Sequence, residues 1–201
     1  MLLEDKVAFI TGGGSGIGEA TAKLFASEGA NVIITDIDDV SGERVSNEIG
    51  SKATYLKCDV TNEEDVLAVI NEITKTHSRI DCAVNNAGIT GNPSNIEDTT
   101  YDNWFKVIHV NLTGVFFCLK HEITQMIKQG SGSIVNVSSG AGLIAVPSMA
   151  AYCASKHALL GLTKTAATEN LSRGIRVNSV LPGSTKTPLL DQALNLSLIH
   201  I

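Results

Sequence analysis

Short apolar runs alternate with longer amphipathic segments along the chain. The apolar runs are rich in Val and Ile and predict strands at residues 6–11, 31–36, 53–58, 80–85, 133–138 and 175–180. The amphipathic segments predict helices at residues 16–28, 40–49, 62–77, 102–128 and 149–171. Nearly continuous apolar strands are typical of a parallel sheet covered by helices on both sides. With right-handed crossovers, the pattern predicts an α/β fold with a doubly wound parallel sheet.

Capping residues mark several of the helix ends. Gly29 and Gly50 follow the first two helices, at the position where glycine commonly ends a helix. The third helix can be capped by Thr61 or Asn62 and runs to about His77. Acidic residues fill its first turn, where the helix dipole favours negative charge.

Composition agrees with one globular domain. The chain has 201 residues, of which 43% are hydrophobic, so it is long enough to bury a sizeable core. Its formal net charge of −6 repels phosphate backbones, so we expect no nucleic-acid partner. No apolar run approaches the roughly 18 residues of a membrane span, so we expect no membrane partner. The N-terminal segment lacks the apolar core of a secretory signal, which predicts a cytoplasmic protein.

Several residues are given no chemical role. The cysteines form no C-x-x-C pair and lie in apolar stretches, which indicates reduced core thiols. The histidines lack ligand-like surroundings, so we predict no metal site. The aromatic residues of the long helix are expected to pack in the core or against another subunit: Trp104, Phe105, Phe116 and Phe117. Asp81 and Glu122 are interpreted as solvated charges.

A glycine-rich turn, TGGGSGIG at residues 11–18, follows the first strand and opens the first helix. Glycine permits both a tight turn and the close approach of a pyrophosphate to the backbone. The helix N-terminus adds free N–H groups and a partial positive charge. The context between a strand and a helix favours a dinucleotide site, although the spacing is G-x-x-x-G-x-G rather than G-x-G-x-x-G. The alternative is a plain glycine-rich loop.

Asp36 closes the second predicted strand. An acidic residue at this position can bind both hydroxyls of an adenosine ribose, and it repels a 2′-phosphate. No Arg or Lys lies between Gly12 and Gly18 to attract such a phosphate. We therefore predict NAD rather than NADP as the cofactor. The alternative is that Asp36 only caps the following helix.

Tyr152 and Lys156 are four residues apart on a predicted helix, which places them on one face. A free tyrosine has a pKa of about 10, too high for a base at neutral pH. A nearby ammonium, together with the positive nicotinamide ring of NAD⁺, lowers that pKa and makes Tyr152 a usable acid or base. Because Y-x-x-x-K is common by itself, the alternative is a solvated helix face.

Other polar residues are expected near this pair. Ser139 ends the fifth strand, 13 residues before Tyr152, and strand carboxyl ends face the binding crevice of such a sheet. The run NNAG, residues 85–88, ends the fourth strand at the same rim. Asn111 lies in the middle of the long predicted helix, where asparagine is not a favoured residue, so its presence suggests a specific role.

Six motifs in order, TGGGSGIG, NNAG, the asparagine of VNLTG, SIVNVSS, YCASK and RVNSVLPG, resemble those of the short-chain dehydrogenase/reductase family over residues 4–188. The resemblance implies a Rossmann fold and hydride transfer. It implies that Tyr152 exchanges a proton with the substrate oxygen and that Lys156 binds the nicotinamide ribose. It further implies that Ser139 orients the substrate oxygen, and that Asn111 holds a water that links Lys156 to solvent.

The same resemblance implies a cofactor-binding set. The glycine-rich turn lines the pyrophosphate, Asp36 binds the ribose, and Asp59 with Val60 binds the adenine. The segment at residues 182–187 meets the nicotinamide carboxamide. Besides Tyr152 and Lys156, the set comprises Gly12, Ser15, Gly16, Ile17, Gly18, Asp36, Asp59, Val60, Asn86, Ala87, Gly88, Pro182, Gly183, Thr185 and Thr187.

The end of the chain departs from the family pattern. We expect a single catalytic domain at residues 1–188 and an atypical tail at residues 189–201, as in a C-terminally truncated member. The sixth strand would then be an edge strand, to which its apolar pattern is poorly suited. A homo-oligomer is expected to form through the Tyr152 helix, a dimer or tetramer.

The sequence thus predicts an NAD-dependent oxidoreductase that acts on a secondary alcohol or its ketone, such as a ring alcohol, a diol or a sugar. One alternative is a 3-oxoacyl-thioester reductase, whose usual NADPH preference conflicts with Asp36. Another is a non-catalytic, truncated NAD-binding relative of the enzymes.

Overall fold

The computed structural model describes residues 1–191 and contains one six-stranded sheet. The strands are β1 (Val7–Thr11), β2 (Asn31–Asp36), β3 (Ala53–Lys57), β4 (Cys82–Asn85), β5 (Gly132–Val137) and β6 (Ile175–Val180). Their order is β3-β2-β1-β4-β5-β6, and every pairing is parallel. The predicted doubly wound sheet is confirmed. Within residues 1–191, β3 and β6 are its edge strands.

Helices cover both faces of the sheet. They are α1 (Gly16–Ser27), α2 (Asp39–Ile49), α3 (Glu63–His77), α4 (Tyr101–Ile108), α5 (Val115–Gln129) and α6 (Ala150–Asn170). Alternate residues of β1 serve the two faces. Ala8 and Ile10 pack with α1 and α2, whereas Val7 and Phe9 pack with α3, α5 and α6. Both faces are therefore buried, as the continuous apolar strands indicate.

Local sequence signals locate most of the element boundaries. The predicted strands at 31–36 and 175–180 match β2 and β6, and the other strands differ by one or two residues at their ends. Asn62 rather than Thr61 caps α3, by accepting a hydrogen bond from the Glu64 N–H at 3.0 Å. Gly29 and Gly50 follow α1 and α2 with positive φ, as predicted.

The single helix predicted at residues 102–128 is wrong in one respect. It is divided into α4 and α5 by a π-helical segment, His109–Gly114. Asn111 lies in this segment and is fully buried. The Asn111 side-chain amide hydrogen-bonds to the backbone of Ile89, which is 22 residues away. This long-range contact occurs in the wider turn of the π-helical segment.

The interpretation of Asp81 and Glu122 as solvated charges is also wrong. The Asp81 side chain is only 9% exposed, and it accepts the Val7 N–H at 2.9 Å while pairing with Arg79. Asp81 thus satisfies a backbone donor at the start of β1. Glu122 is completely buried where α5 packs on the sheet.

Glu122 belongs to a buried polar chain between the sheet and two helices. Asn85 Nδ2 donates to Glu122 Oε2 and to Asn136 Oδ1, both at 3.0 Å, and Asn136 Nδ2 donates to Thr163 Oγ1 at 2.9 Å. Within residues 1–191, Glu122 Oε1 has no hydrogen-bond partner. Burial raises the pKa of Glu122 to about 8, because no cation compensates a buried carboxylate.

Other side chains are distributed as follows. Trp104, Phe105 and Phe116 are each more than 40% exposed, so core packing is wrong for them, and subunit packing stays a prediction. Cys58 and Cys118 are buried, and all four cysteines are free.

Across residues 1–191, no helix is long and apolar enough to cross a membrane, and no cluster of three potential metal ligands occurs. The predicted tail lies outside the described residues from 192 onward.

We predict that protonation of Glu122 couples folding to pH. Its pKa is raised from 4.5 in the unfolded chain to about 8 in the folded chain. The stabilising contribution is therefore complete below pH 4.5 and is lost as pH rises towards 8, at about 1.4 kcal/mol per pH unit. Glu122→Gln should remove this dependence, measured by urea unfolding between pH 5 and pH 8.

Glu43→Gln, at an exposed position on α2, is the control and should retain the pH dependence of the parent chain. If the parent and Glu122→Gln lose stability equally over this interval, Glu122 is not neutral in the folded protein.

Candidate active site

The carboxyl ends of β1, β2, β4, β5 and β6 meet along one edge of the sheet, where two cavities adjoin. The Tyr152 cavity, of about 320 Å³, lies over the ends of β5 and β6. The Asp36 cavity, of about 430 Å³, lies over β1, β2 and β4. They share five lining residues: Ile17, Asn86, Gly88, Thr187 and Leu189. One elongated ligand can therefore occupy both cavities.

The glycine-rich turn forms one wall of the Asp36 cavity. Gly12 and Gly16 have φ values of 62° and 54°, a conformation that favours glycine. Asn86 Nδ2 donates to the carbonyl oxygens of Thr11 at 3.1 Å and Gly12 at 2.9 Å, which ties the turn to the end of β4. Gly18 does not line either cavity. It lets α1 approach the Gly12 carbonyl, which an added Cβ would overlap.

The first helix presents its N-terminus to this cavity. Ser15 is the N-cap residue of α1, yet its side chain makes no capping hydrogen bond. The first N–H groups of α1 are thus left available to an anion. Ser15, Gly16 and Ile17 line the Asp36 cavity at this point.

Asp36 lines the Asp36 cavity and not the cavity that contains Tyr152. Its Oδ2 accepts the Gly14 N–H at 2.9 Å, and its Oδ1 accepts the Asp38 N–H at 3.1 Å. The helix-cap alternative is not what the structure shows, because the Asp38 side chain caps α2 through the Val40 N–H. Asp36 instead lines the cavity and holds the outer part of the turn.

Most of the predicted cofactor-binding residues line the two cavities. Around the Asp36 cavity these are Gly12, Ser15, Gly16, Ile17, Asp36, Asp59, Val60, Asn86, Ala87, Gly88 and Thr187. Pro182, Gly183, Thr185 and Thr187 line the Tyr152 cavity. Sequence reasoning missed seven residues of the Asp36 cavity: Ile37, Cys58, Ile89, Lys106, Val110, Pro188 and Leu189. Ile37 and Cys58 directly follow strands β2 and β3, a position that could have indicated them.

Lys156 lies under the Tyr152 cavity and is only 4% exposed. Its Nζ donates to the Val137 carbonyl at 2.8 Å and lies 5.7 Å from the centroid of the Tyr152 ring. Burial lowers the pKa of Lys156 to about 8, because desolvation disfavours the ammonium. At neutral pH the ammonium therefore remains predominantly charged, close to the tyrosine.

The pKa of Tyr152 differs from the expected direction. Burial raises it above the ordinary value, and the nearby Ser139 hydroxyl opposes the rise. Desolvation disfavours the phenolate more strongly than the surrounding protein groups stabilise it. Protein groups alone therefore do not lower the pKa of Tyr152.

The two serines at the end of β5 have different environments. The Ser138 hydroxyl is buried and donates to the Lys156 carbonyl at 2.9 Å, which fixes α6 against the strand. The Ser139 side chain is partly exposed at the cavity, where its Oγ accepts the Ala141 N–H at 3.1 Å. That bond leaves the Ser139 proton free to be donated. Of the two hydroxyls, that of Ser138 is already donated to a backbone carbonyl, whereas Ser139, the residue that the 13-residue spacing predicts, keeps a proton that it can donate.

Asn111 holds the loop that follows β4. Its Oδ1 accepts the Ile89 N–H at 2.8 Å, and its Nδ2 donates to the Ile89 carbonyl at 2.8 Å and to Ser155 Oγ at 3.1 Å. Both amide protons are used, so the side chain has no donor left for a water. Gly88 separates Asn111 from Lys156: a Cβ there would lie 3.2 Å from Asn111 Oδ1 and 3.5 Å from Lys156 Nζ.

The remaining wall of the Tyr152 cavity is apolar. It is formed by residues that sequence reasoning missed, among them Ala141, Ile144, Val146, Met149 and Leu190. Of the described lining residues, Lys156 alone is charged. Since the loop at residues 143–149 has neither strand nor helix periodicity, no pattern in the sequence indicated that it faces a cavity.

Comparison with known proteins gives consistent results. The family described as short chain dehydrogenase matches residues 6–195. The chain is 41% identical over 194 residues to a 2,5-dichloro-2,5-cyclohexadiene-1,4-diol dehydrogenase of Sphingobium indicum, covering 96% of this chain and 78% of that protein. It is 42% identical over 200 residues to a cyclohexanol dehydrogenase of an Acinetobacter species, covering 98% of this chain and 80% of that protein.

A similar solved structure is a 3-ketoacyl-(acyl-carrier-protein) reductase from Brucella melitensis complexed with NADH. It superposes with a TM-score of 0.91 at 37% sequence identity. The superposition covers 94% of this chain and 79% of that chain.

We predict opposite outcomes for two glycines of this site. Gly18→Ala should destabilise the protein by about 3 kcal/mol, because the new Cβ would overlap the Gly12 backbone. Gly183→Ala should be neutral, because no atom of residues 1–191 lies within 4 Å of its added Cβ. Urea unfolding of both variants measures the difference, and equal stabilities would contradict the close packing of α1 against the turn.

Proposed function

This chain belongs to the short-chain dehydrogenase family and is an oxidoreductase, and we propose that it transfers a hydride between NAD(H) and an uncharged ring alcohol or its ketone. One observation carries the proposal. Tyr152, Lys156 and Ser139 converge on an apolar cavity that adjoins a second cavity ending at Asp36. This arrangement suits a substrate in the first cavity and a dinucleotide that extends from the first into the second.

The residues present fit a dinucleotide. The turn with positive φ at Gly12 and Gly16 leaves room for a phosphate, and the uncapped N-terminus of α1 supplies N–H donors. Asp36 supplies a carboxylate for ribose hydroxyls and repels a 2′-phosphate, which supports NAD over NADP. When bound, the nicotinamide ring accepts a hydride in oxidation and donates one in reduction.

Tyr152 is proposed as the acid or base. In oxidation its phenolate takes the proton from the substrate hydroxyl, and in reduction its hydroxyl gives the proton back to the carbonyl oxygen. Because burial raises the pKa of Tyr152, the phenolate needs positive charge nearby. The Lys156 ammonium supplies one such charge, with its Nζ 5.7 Å from the centroid of the Tyr152 ring. Its pKa of about 8 keeps Lys156 predominantly charged at neutral pH.

Ser139 and Asn111 are proposed in supporting roles. The Ser139 hydroxyl, whose Oγ already accepts from Ala141, can donate its proton to the substrate oxygen. Asn111 contributes by holding the Ile89 backbone and the loop that borders both cavities. The water relay at Asn111 stays a proposal, and because both side-chain amide protons are already donated, the water would have to donate to an oxygen of this residue.

The walls of the Tyr152 cavity favour an uncharged, apolar substrate. Ile144, Val146 and Met149 offer carbon surface opposite the polar group of Ser139 and Tyr152. Among the described lining residues the one charged side chain is Lys156, which is 4% exposed, so these walls offer little positive charge to a substrate carboxylate or phosphate. Two relatives named for a cyclohexadiene diol and for cyclohexanol support a ring alcohol.

A 3-oxoacyl-thioester reductase remains the second candidate. The similar Brucella structure carries that name and is complexed with NADH. The NAD preference that Asp36 supports therefore does not distinguish the two candidate functions, because both are compatible with NAD(H). They are distinguished by which substrate the protein turns over.

We predict that the purified protein oxidises cyclohexanol with NAD⁺ and that Tyr152→Phe lowers kcat by at least about a thousandfold. NADH affinity, measured by fluorescence titration, should change less than about threefold, because the phenyl ring keeps the packing. Tyr101→Phe, at an exposed position on α4, is the matched control and should retain full activity. Turnover of a 3-oxoacyl thioester without turnover of ring alcohols would favour the second candidate. Full activity of Tyr152→Phe would contradict the proposed acid–base role.

We also predict that Asp36 selects NADH over NADPH. Asp36→Asn removes the charge and keeps one oxygen that can accept the Gly14 N–H, so the contact of the turn with β2 should remain, whereas the hydrogen bond to the Asp38 N–H is lost. The ratio of the NADPH and NADH dissociation constants should fall by roughly tenfold or more. Asp39→Asn, which removes a neighbouring acid outside the cavity, should leave that ratio unchanged. An unaltered ratio in Asp36→Asn would refute this role.

A further inference from the structure

The outer bend of the glycine-rich turn is held by a cluster of charged side chains on α1 and α2. We propose that Arg44 is a positioning residue for the turn, acting through the Gly14 carbonyl to keep it in the shape that receives a pyrophosphate. The inference rests on the proposed function in one respect: it takes the ligand of the turn to be a dinucleotide.

Both backbone polar groups of Gly14 form hydrogen bonds to side chains. Its N–H donates to Asp36 Oδ2 at 2.9 Å, and its carbonyl accepts from Arg44 Nη2 at 3.0 Å. There is no space for a side chain, because a Cβ at Gly14 would lie 2.9 Å from both Asp36 Oδ2 and the Ser41 Cβ. The bend is therefore attached to β2 by one residue and to α2 by another.

Two carboxylates orient the Arg44 guanidinium. Nη2 also donates to Glu19 Oε2 at 2.8 Å, and Nη1 donates to Glu48 Oε1 at 2.8 Å and to Glu19 Oε1 at 3.2 Å. The planar guanidinium thus spans both helices and points one N–H at the turn. The Arg44 guanidinium lowers the pKa of Glu19 to about 2, so this carboxylate is ionised at neutral pH.

The consequence of this anchor should be seen in binding more than in stability. Arg44 and Glu48 have side chains that are each more than 40% exposed, and exposed ion pairs contribute little to folding. A turn that is already held in its binding shape loses less conformational freedom when a ligand binds. Loss of the anchor should therefore weaken ligands that contact the turn.

Lys23 provides a matched control within the same cluster. Its Nζ binds Glu19 Oε1 at 2.6 Å and Glu48 Oε2 at 2.7 Å, so it shares both acidic partners of Arg44. It makes no hydrogen bond to the turn among the described residues. Lys23→Met thus removes one positive charge from the cluster without touching Gly14.

The test compares three ligands with Arg44→Met, Arg44→Lys and Lys23→Met in the full chain. ADP-ribose and NADH contain the pyrophosphate, whereas adenosine lacks it but keeps the ribose that Asp36 is proposed to bind. Calorimetry gives the affinity for ADP-ribose, fluorescence that for NADH, and ligand-observed NMR that for adenosine. Thermal unfolding checks that each variant is folded.

We expect Arg44→Met to weaken ADP-ribose and NADH about tenfold, with partial recovery in Arg44→Lys, whose ammonium can still donate to Gly14. Adenosine affinity, and all affinities of Lys23→Met, should stay within twofold of the parent chain. Unchanged ADP-ribose affinity in Arg44→Met, or an equal loss for adenosine, would overturn the positioning role. A parent chain that binds neither ADP-ribose nor NADH would instead overturn the proposed function itself.

Discussion

Burial of the sheet on both faces is the constraint on which the rest of this structure depends. Between two helical layers the central strands have little solvated surface, so an unpaired polar side chain there is costly, and most of the chemistry is confined to the strand ends. The carboxyl edge is where the backbone turns into loops and helix N-termini. Both cavities lie there, together with Tyr152, Lys156 and Ser139 and the loop that Asn111 holds.

The same burial shifts the pKa values of the ionisable groups around the site. Lys156 can be buried with its charge because Nζ has the Val137 carbonyl as a partner, at the cost of a pKa lowered to about 8. Glu122 is buried without a cation and is neutral over most of the physiological range. Tyr152 is partly desolvated, so its proton is held more tightly than in water. A single cause, desolvation, thus shifts the pKa of all three groups.

Asparagine and arginine side chains donate hydrogen bonds to loop carbonyls that have no backbone partner within residues 1–191. Asn86 ties the glycine turn to β4, Asn111 ties the following loop to the π-helical segment, and Arg44 reaches the turn from outside. Each replaces a hydrogen bond that a loop lacks because it has no neighbouring strand. The floor and walls of the cavities are therefore held by side chains whose partners are distant in sequence.

The sequence by itself determined the order and type of the elements, the glycine-rich turn, Asp36 at the end of a strand, and the Tyr152–Lys156 pair, because each depends on short-range spacing. Only the tertiary structure decided that Glu122 is buried, that Asn111 lies in a π-helical segment, and that the loop at residues 143–149 forms a cavity wall. Burial and electrostatic environment arise from contacts between segments far apart in the chain. An amphipathic pattern such as that of α5 shows which residues are polar but not which of them the neighbouring helix and sheet will cover.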